Sequence, residues 1–246
     1  MVFVWYNEFR NNIMSNLKLS IIIPIYNEEK TIIQTLKRIK ETNNNKINYE
    51  TIVINDGSKD GTLDLLKSHS DLYDHLIDYN NNSGKGYAVK KGLEASTGDY
   101  IIFQDADLEY DPKDFSKFID LINNQNVDGI IGSRFVYSGF TRSHSFLNKI
   151  GNHILTFIFN ALYNTTFTDI YSCYYCYRKN LLNHENLKTF GFEQHAEILC
   201  KTIKNGKFFY EVPISYNGRT HDEGKKIKFY HFFSVLFRII MERISF

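Results

Sequence analysis

Tyr100-Ile101-Ile102-Phe103 runs, across Gln104, into Asp105-Ala106-Asp107-Leu108-Glu109. The four apolar residues have the length and composition of a buried strand, and three carboxylates crowd its C-terminal exit at alternating positions. In an extended chain, residues i, i+2 and i+4 point the same way, so the spacing predicts that Asp105, Asp107 and Glu109 converge. Like charges held that close push one group toward protonation unless a cation lies between them. A hard divalent ion with oxygen ligands, Mg²⁺ or Mn²⁺, suits such a site, and these ions usually hold substrate phosphates as well. Alone the motif is a weak signal, because Asp-x-Asp is common in solvated turns.

The surrounding chain gives the motif its frame. Upstream, residues 19–25 read as an apolar strand and 29–41 as a helix through Ile32, Ile33, Leu36 and Ile39. Residues 49–54 form a strand ended by the turn cluster Asn55-Asp56-Gly57-Ser58; 61–68, a helix; 75–78, a short strand; and 86–95, a helix. Downstream, 112–123 reads as a helix opened by Pro112 and 129–132 as a strand. Strands alternating with helices predict an α/β fold, a mostly parallel sheet with helices on both faces. Ligands of such sheets bind beyond the carboxyl ends of the strands, where Asp56 and Asp105 both fall. The second half is less regular, with helices expected over 146–162, 193–204 and 228–246 and a strand over 208–214. Neither a repeat nor a linker interrupts it, so residues 1–246 read as one domain, with a core over about 19–226.

Hydrophobic residues at 43% and charged residues at 23% fit a globular protein, and a net charge of +1 carries no electrostatic footprint for nucleic acid. Three cysteines argue against a disulfide framework and for a reducing compartment. Cys173 and Cys176 form a C-x-x-C with only Cys200 elsewhere, which reads as buried thiols in an aromatic layer rather than as zinc ligands. The apolar runs are shorter than the ~18–20 residues of a membrane span. Residues 1–9 are too short for a signal peptide and carry Glu8, so a cytoplasmic location is expected.

Five motifs follow in order: Ile23-Pro24-Ile25-Tyr26-Asn27-Glu28, Asn55-Asp56-Gly57-Ser58-Lys59-Asp60-Gly61-Thr62, Ser83-Gly84-Lys85-Gly86, Asp105-Ala106-Asp107 and Gly132-Ser133-Arg134. In this order the chain resembles family 2 glycosyltransferases, and within them the dolichyl- and polyprenyl-phosphate sugar synthases, over about 19–226. The resemblance implies a GT-A, Rossmann-like fold, a nucleotide-diphosphate sugar donor and Mg²⁺ or Mn²⁺. By position it implies that Pro24, Tyr26 and Glu28 hold the donor base and ribose, that Asp56 bonds the base, and that Lys85 touches the donor. Asp105, Ala106 and Asp107 match the metal-binding segment, with Glu109 as a third ligand. Arg134 and Arg219, with Lys225, match cations near the phosphates. Asp169 matches a candidate base or acceptor-orienting group; a lipid phosphate is already anionic, so Asp169 is expected mainly to orient the acceptor or a cation, although Cys173 stands where relatives often have glycine.

Plainer readings stay open beside these. Asp56-Gly57-Ser58 also suits a turn feeding a helix start, and Asp169 a cap or turn. Ser83-Gly84-Lys85-Gly86 lacks P-loop spacing and suits a glycine-flanked helix start. Glu193 and Glu197 either touch sugar hydroxyls or are solvated, and His221 is either an added phosphate or metal contact or incidental.

The activity implied is inverting, metal-dependent transfer of a hexose from a GDP-mannose or UDP-glucose type donor to a polyprenyl or dolichyl phosphate. A glycan hydroxyl acceptor is the alternative and would need a general base, Asp169 or a glutamate near Glu193. A catalytically silent scaffold of the same fold is the third. Phe229, Phe232, Phe233, Leu236, Phe237, Ile240 and Ile244 recur at helical spacing beside Lys225, Lys226, Lys228, Arg238 and Arg243. Residues 227–246 thus read as a basic amphipathic helix lying on the cytoplasmic face of a membrane, alone or with a small membrane partner subunit; packing on the sheet fits the pattern equally.

Overall fold

Isoleucine sets the middle of the sheet. In β1 (Lys18–Ile25), Leu19, Ile21 and Ile23 enter one hydrophobic core while Ile22 enters a second on the opposite face. A strand buried on both sides reads as a continuous apolar run because neither face meets water. The computed structural model describes residues 17–43, 46–136, 146–219 and 231–245. The chain continues through α1 (Ile32–Thr42), β2 (Asn48–Asp56), α2 (Thr62–Ser68), β3 (His75–Tyr79), α3 (Lys85–Ala95) and β4 (Tyr100–Phe103). It then runs through α4 (Phe115–Asn124), β5 (Gly129–Ser133), α5 (Phe146–Tyr163), β6 (Tyr175–Arg178), α6 (Gln194–Asn205), β7 (Phe209–Pro213) and α7 (His231–Ile244).

The seven strands order as β3-β2-β1-β4-β6-β5-β7. Pairings are parallel except those of β6, which runs antiparallel to β4 and β5. Helices α1, α2 and α4 cover one face through Leu36, Leu66 and Phe118. Helices α3, α5, α6 and α7 cover the other through Val89, Phe159, Leu199 and Val235. The expected mostly parallel sheet with helices on both faces is therefore the one observed.

Two local expectations are corrected and a third is sharpened. The segment from Pro112 begins as a 3-10 turn over Pro112–Asp114, capped by the Asp111 carboxylate, and becomes α4 only at Phe115. Strand β6 is new: it crosses the aromatic run around the C-x-x-C. Cys176 is buried within it, whereas Cys173 is only half-buried, packed against both cores and bordering a cavity. Finally, α7 packs Val235 and Ile239 into the core while Phe233, Phe237, Ile240, Met241 and Ile244 stay exposed. The expected packing on the core is thus observed for one face, and the other face is left apolar and exposed.

Candidate active site

The carboxyl ends of β1, β2 and β4 open into one cavity of about 1050 Å³, just above the usual size range of ligand pockets. Its rim is braced before any ligand arrives. Asn27, in the left-handed region at φ 55°, accepts a bond from the Lys59 amide at 2.8 Å, and its own amide donates to Ser58 Oγ at 2.9 Å. Glu29 takes the Gly61 amide at 2.8 Å. The Asn55–Thr62 motif thus ties the first loop to the second. Gly57 completes the turn at φ 69°, where a Cβ would lie 2.6 Å from the Asn81 backbone.

Pro24, Tyr26, Glu28 and Asp56 all line the cavity. Asp56 is almost fully buried, and its two oxygens accept the Ser83 and Gly84 amides at 2.9 and 2.8 Å. Its visible work is to hold the loop that starts α3. Lys85, the first residue of α3, reaches across to Asp105 at 2.5 Å. Gly86 lets this start pack on the Phe190 backbone, where a Cβ would come within 2.5 Å.

Beyond β4 the chain does not stay extended. It turns, with Leu108 at φ 63°, so the predicted i, i+2, i+4 array of Asp105, Asp107 and Glu109 is corrected. All three still line the cavity, each held by a different set of donors. Asp105 pairs with Lys85; Asp107 takes Arg219 Nη2 at 2.5 Å; Glu109 takes the Arg219 amide at 2.9 Å, Arg219 Nε at 3.2 Å and the Tyr216 hydroxyl at 2.9 Å. Ala106 fixes the turn by accepting from Thr35 Oγ1 at 3.1 Å. Burial, then the charges of Asp105 and Glu109, push the Asp107 carboxyl up to about 7 despite Arg219. Burial also opposes ionisation of Asp105, but Lys85 outweighs it and holds this carboxyl below the usual range.

Among the described residues no three His, Cys, Asp or Glu side chains form a ready-made metal cage. The donor set nevertheless suits a hard cation. Glu28, Asp56, Asp105, Asp107 and Glu109 stand against Lys85, Arg134, Lys149 and Arg219 around the cavity, and three of the acids cluster after β4, so a diphosphate there would meet carboxylates without one. Mg²⁺ in particular is usually held by one or two carboxylates with substrate phosphates completing its shell. Asp105 and Asp107 meet that requirement.

Arg134 and Arg219 reach the cavity, and Lys225 and His221 lie outside the described residues. Asp169 stands off the cavity and orients a cation, as one of its expected roles had it, and not a substrate. It is fully buried behind the wall, where it accepts Arg134 Nε at 2.7 Å, Arg134 Nη2 at 2.8 Å, the Arg134 amide at 3.0 Å and Asn152 Nδ2 at 2.7 Å. Burial works against its charge, yet Arg134 more than compensates and its pKa is lowered. It positions Arg134 and has no lowered barrier to taking a proton. Glu197 is likewise inward, bonded to the Lys188 and Thr189 amides at 2.9 Å each and paired with Lys201 and Arg238. Its neighbours Gln194 and His195 line the cavity instead. Burial, then Lys85, lowers the His195 pKa to about 4, so the imidazole is neutral at physiological pH. Tyr216, which the sequence reading passed over, bonds Glu109 and lies 5.1 Å beneath the Arg134 guanidinium. An aromatic three residues before Arg219, which the resemblance implies lies near phosphates, was the available signal.

Comparison with known proteins adds a family to this geometry. The model described as "Glycosyl transferase family 2" matches residues 20–185. A dolichol-phosphate mannosyltransferase of Pyrococcus furiosus is 30% identical over 220 residues, 85% of this chain and 59% of that protein, so the chain spans well under two thirds of that relative. An uncharacterized protein of Methanocaldococcus jannaschii is 27% identical over 92% of this chain and 93% of its own length. Among solved structures, glucosyl-3-phosphoglycerate synthase from Mycobacterium tuberculosis, in complex with Mn²⁺, UDP and phosphoglyceric acid, superposes with a TM-score of 0.71 at 17% identity. That match covers 96% of this chain and 81% of the other. The same enzyme with Mg²⁺ and UDP gives a TM-score of 0.70 at 17% identity, covering 96% and 82%.

Proposed function

The chain belongs to glycosyl transferase family 2 and is a glycosyltransferase of GT-A fold, and from that premise we propose that it moves a hexose from a nucleotide-diphosphate sugar to a polyprenyl or dolichyl phosphate, inverting the anomeric carbon. One observation carries the reading. A single cavity joins Asp105, Asp107, Arg134 and Arg219 to an apolar wall of Phe146, Leu147 and Phe232. A lipid phosphate has the same two characters in one molecule. The Pyrococcus relative, a dolichol-phosphate mannosyltransferase by name, supports the same acceptor class.

A divalent cation at Asp105 and Asp107 would neutralise charge growing on the diphosphate as the glycosidic bond breaks. The chain's own residues do the rest. Arg134, locked in orientation by Asp169, which Asn152 holds in turn, presents a fixed positive charge to phosphate. Lys85 adds a second from the start of a helix, whose N-terminus itself favours anions. Arg219 arrives from the loop after β7 and links that loop to the Asp107–Glu109 turn. A phosphate monoester is already anionic near neutrality, with a second pKa of about 6. Its oxygen attacks the anomeric carbon as the diphosphate oxygen departs, and no side-chain base is needed. Asp169, already committed to Arg134, is left out of the proton chemistry.

Among the described residues, no helix is long and apolar enough to cross a membrane. Helices α5 and α7 nevertheless expose Phe146 and Leu147, which belong to the cavity's apolar wall, and Phe157, Phe233 and Phe237 elsewhere on the same two helices. These faces would rest on the cytoplasmic leaflet and bring the lipid acceptor to Arg134. The test is label transfer from GDP-mannose and UDP-glucose, with Mn²⁺, to a polyprenyl phosphate in detergent. Product from either donor supports the reading, and transfer only to a glycan hydroxyl overturns the acceptor. Liposome flotation of Phe233→Ser and Phe237→Ser tests the contact. Truncation at Lys226 would also strip Val235 and Ile239 from the core.

A further inference from the structure

Three side chains in the cavity wall carry buried polar atoms that no described residue satisfies: Asn152 Oδ1, Ser172 Oγ and Gln194 Oε1. The residues are 8%, 1% and 2% exposed. Buried polar groups are nearly always bonded, and leaving one unpaired costs about 1–3 kcal/mol. Three such atoms around one cavity point to something that enters it.

The bonds these side chains do make fix what that must be. Asn152 spends its Nδ2 on the Asp169 carboxylate at 2.7 Å, and Gln194 spends its Nε2 on the Thr189 carbonyl at 2.8 Å. Both partners only accept, so neither amide can be flipped, and each is left with an oxygen. Ser172 can give or receive one bond. The wall therefore calls for a ligand that donates. Phosphate oxygens and a hydrocarbon chain donate nothing; hydroxyl groups do.

Position narrows the choice further. Asp56, at the end of β2, marks one side of the rim, and Asp105 and Asp107 follow β4. Ser172 precedes β6, on the far side of β4 from β1 and β2, and Asn152 is bonded to the carboxylate that holds Arg134. Ser172 and Asn152 thus lie past the carboxylates, away from the Asp56 side, and Gln194 is bonded to Thr189, next to the Phe190 backbone on which the start of α3 packs.

We propose that Asn152, Ser172 and Gln194 form a hydroxyl-reading subsite for the hexose of the donor, an inference that rests on the glycosyltransfer reading above. The subsite adds affinity for the sugar and none for the nucleoside diphosphate. Calorimetry with Mn²⁺ would compare UDP with UDP-glucose and GDP with GDP-mannose, on the wild type, Ser172→Ala and Gln194→Met. The expected result is diphosphate binding within twofold of wild type in both variants, with nucleotide-sugar affinity reduced about tenfold in each. As a measurement free of mutation, a nucleotide sugar lacking one hexose hydroxyl should bind the wild type about tenfold more weakly for at least one hydroxyl position; this decides alone if a variant fails to fold.

Equal losses for diphosphate and nucleotide sugar, or no loss for either, overturn the subsite. So does a loss confined to the KM of polyprenyl phosphate, which would assign the wall to the acceptor. A wild type that binds none of the four nucleotides with Mn²⁺ or Mg²⁺ overturns the glycosyltransfer reading itself, a result distinct from the others.

Discussion

Arg134 meets Asp169 behind the cavity wall through bonds of 2.7 and 2.8 Å, whereas Arg219 meets Asp107 at the cavity surface through one bond of 2.5 Å. The residue types are the same and the surroundings opposite. Asp169 has four donors, no exposure and a lowered pKa. Asp107 has Arg219 and the Glu109 amide, stands among like charges, and is pushed up to about 7. A carboxylate saturated with donors is part of the framework, and disturbing it costs stability. One short of donors beside two other carboxylates can exchange its partner for an arriving cation at little cost to the fold.

Asp107→Asn should break this contrast on its functional side and have the largest effect. Transfer activity is expected to fall about 10³-fold, the scale on which a preorganised electrostatic partner is lost. The melting temperature should hold or rise slightly, because the substitution removes a charge that its neighbours oppose. Steady-state transfer with saturating Mn²⁺, beside a thermal melt, reads both. A large fall in stability would mean that Asp107 belongs with Asp169.

Asp169→Asn is the converse and should be felt first in the fold. Removing one partner of a buried pair leaves the other charge uncompensated and costs about 3 kcal/mol. Arg134 also loses its fixed direction, so activity should drop by about tenfold to a hundredfold in the fraction that remains folded. Urea unfolding and activity at matched folded fraction separate the two effects. Unchanged stability would remove the distinction between the two pairs.

The same contrast explains what could be read from the chain. The parallel half was legible because isoleucine runs buried on both faces and turn glycines such as Gly57 leave few alternatives. The positions of Asp105, Asp107 and Glu109 were legible too, but their conformation was not: nothing about leucine announces the left-handed φ of Leu108. Strand β6 escaped because Tyr174-Tyr175-Cys176-Tyr177 is apolar on both faces and shows no alternation, Tyr174 entering one core and Tyr175 the other. The role of Asp169 depends on an arginine 35 residues earlier, a pairing no local pattern encodes. On α6, successive side chains turn by about 100°; the acidic pair Glu193 and Glu197 drew attention, but Gln194 and His195 are the ones that line the cavity.

Glu50 extends the contrast to a carboxylate remote from the active-site cavity and should give the smallest effect of the three. It is 1% exposed and accepts Lys18 Nζ at 2.7 Å, Ser20 Oγ at 2.5 Å, and the Thr97 amide and hydroxyl at 2.7 and 2.5 Å. These bonds join β1, β2 and the loop before β4. Burial alone would raise its pKa, but the bonds from Lys18, Ser20 and Thr97 outweigh it and lower the value from 4.5 to about 2. For an acid whose pKa falls on folding, the stabilising contribution is complete above the unfolded value and disappears as pH drops through the folded one. Glu50 should therefore contribute on the order of 2–3 kcal/mol at pH 7, lost progressively between pH 4.5 and about 2. Glu50→Gln should lower stability at pH 7 and flatten the decline across that acid window, as read by urea unfolding at pH 7, 4.5 and 3. A deficit in the variant that stays the same at pH 3 as at pH 7 would show that its packing, and not its charge, is what the framework uses.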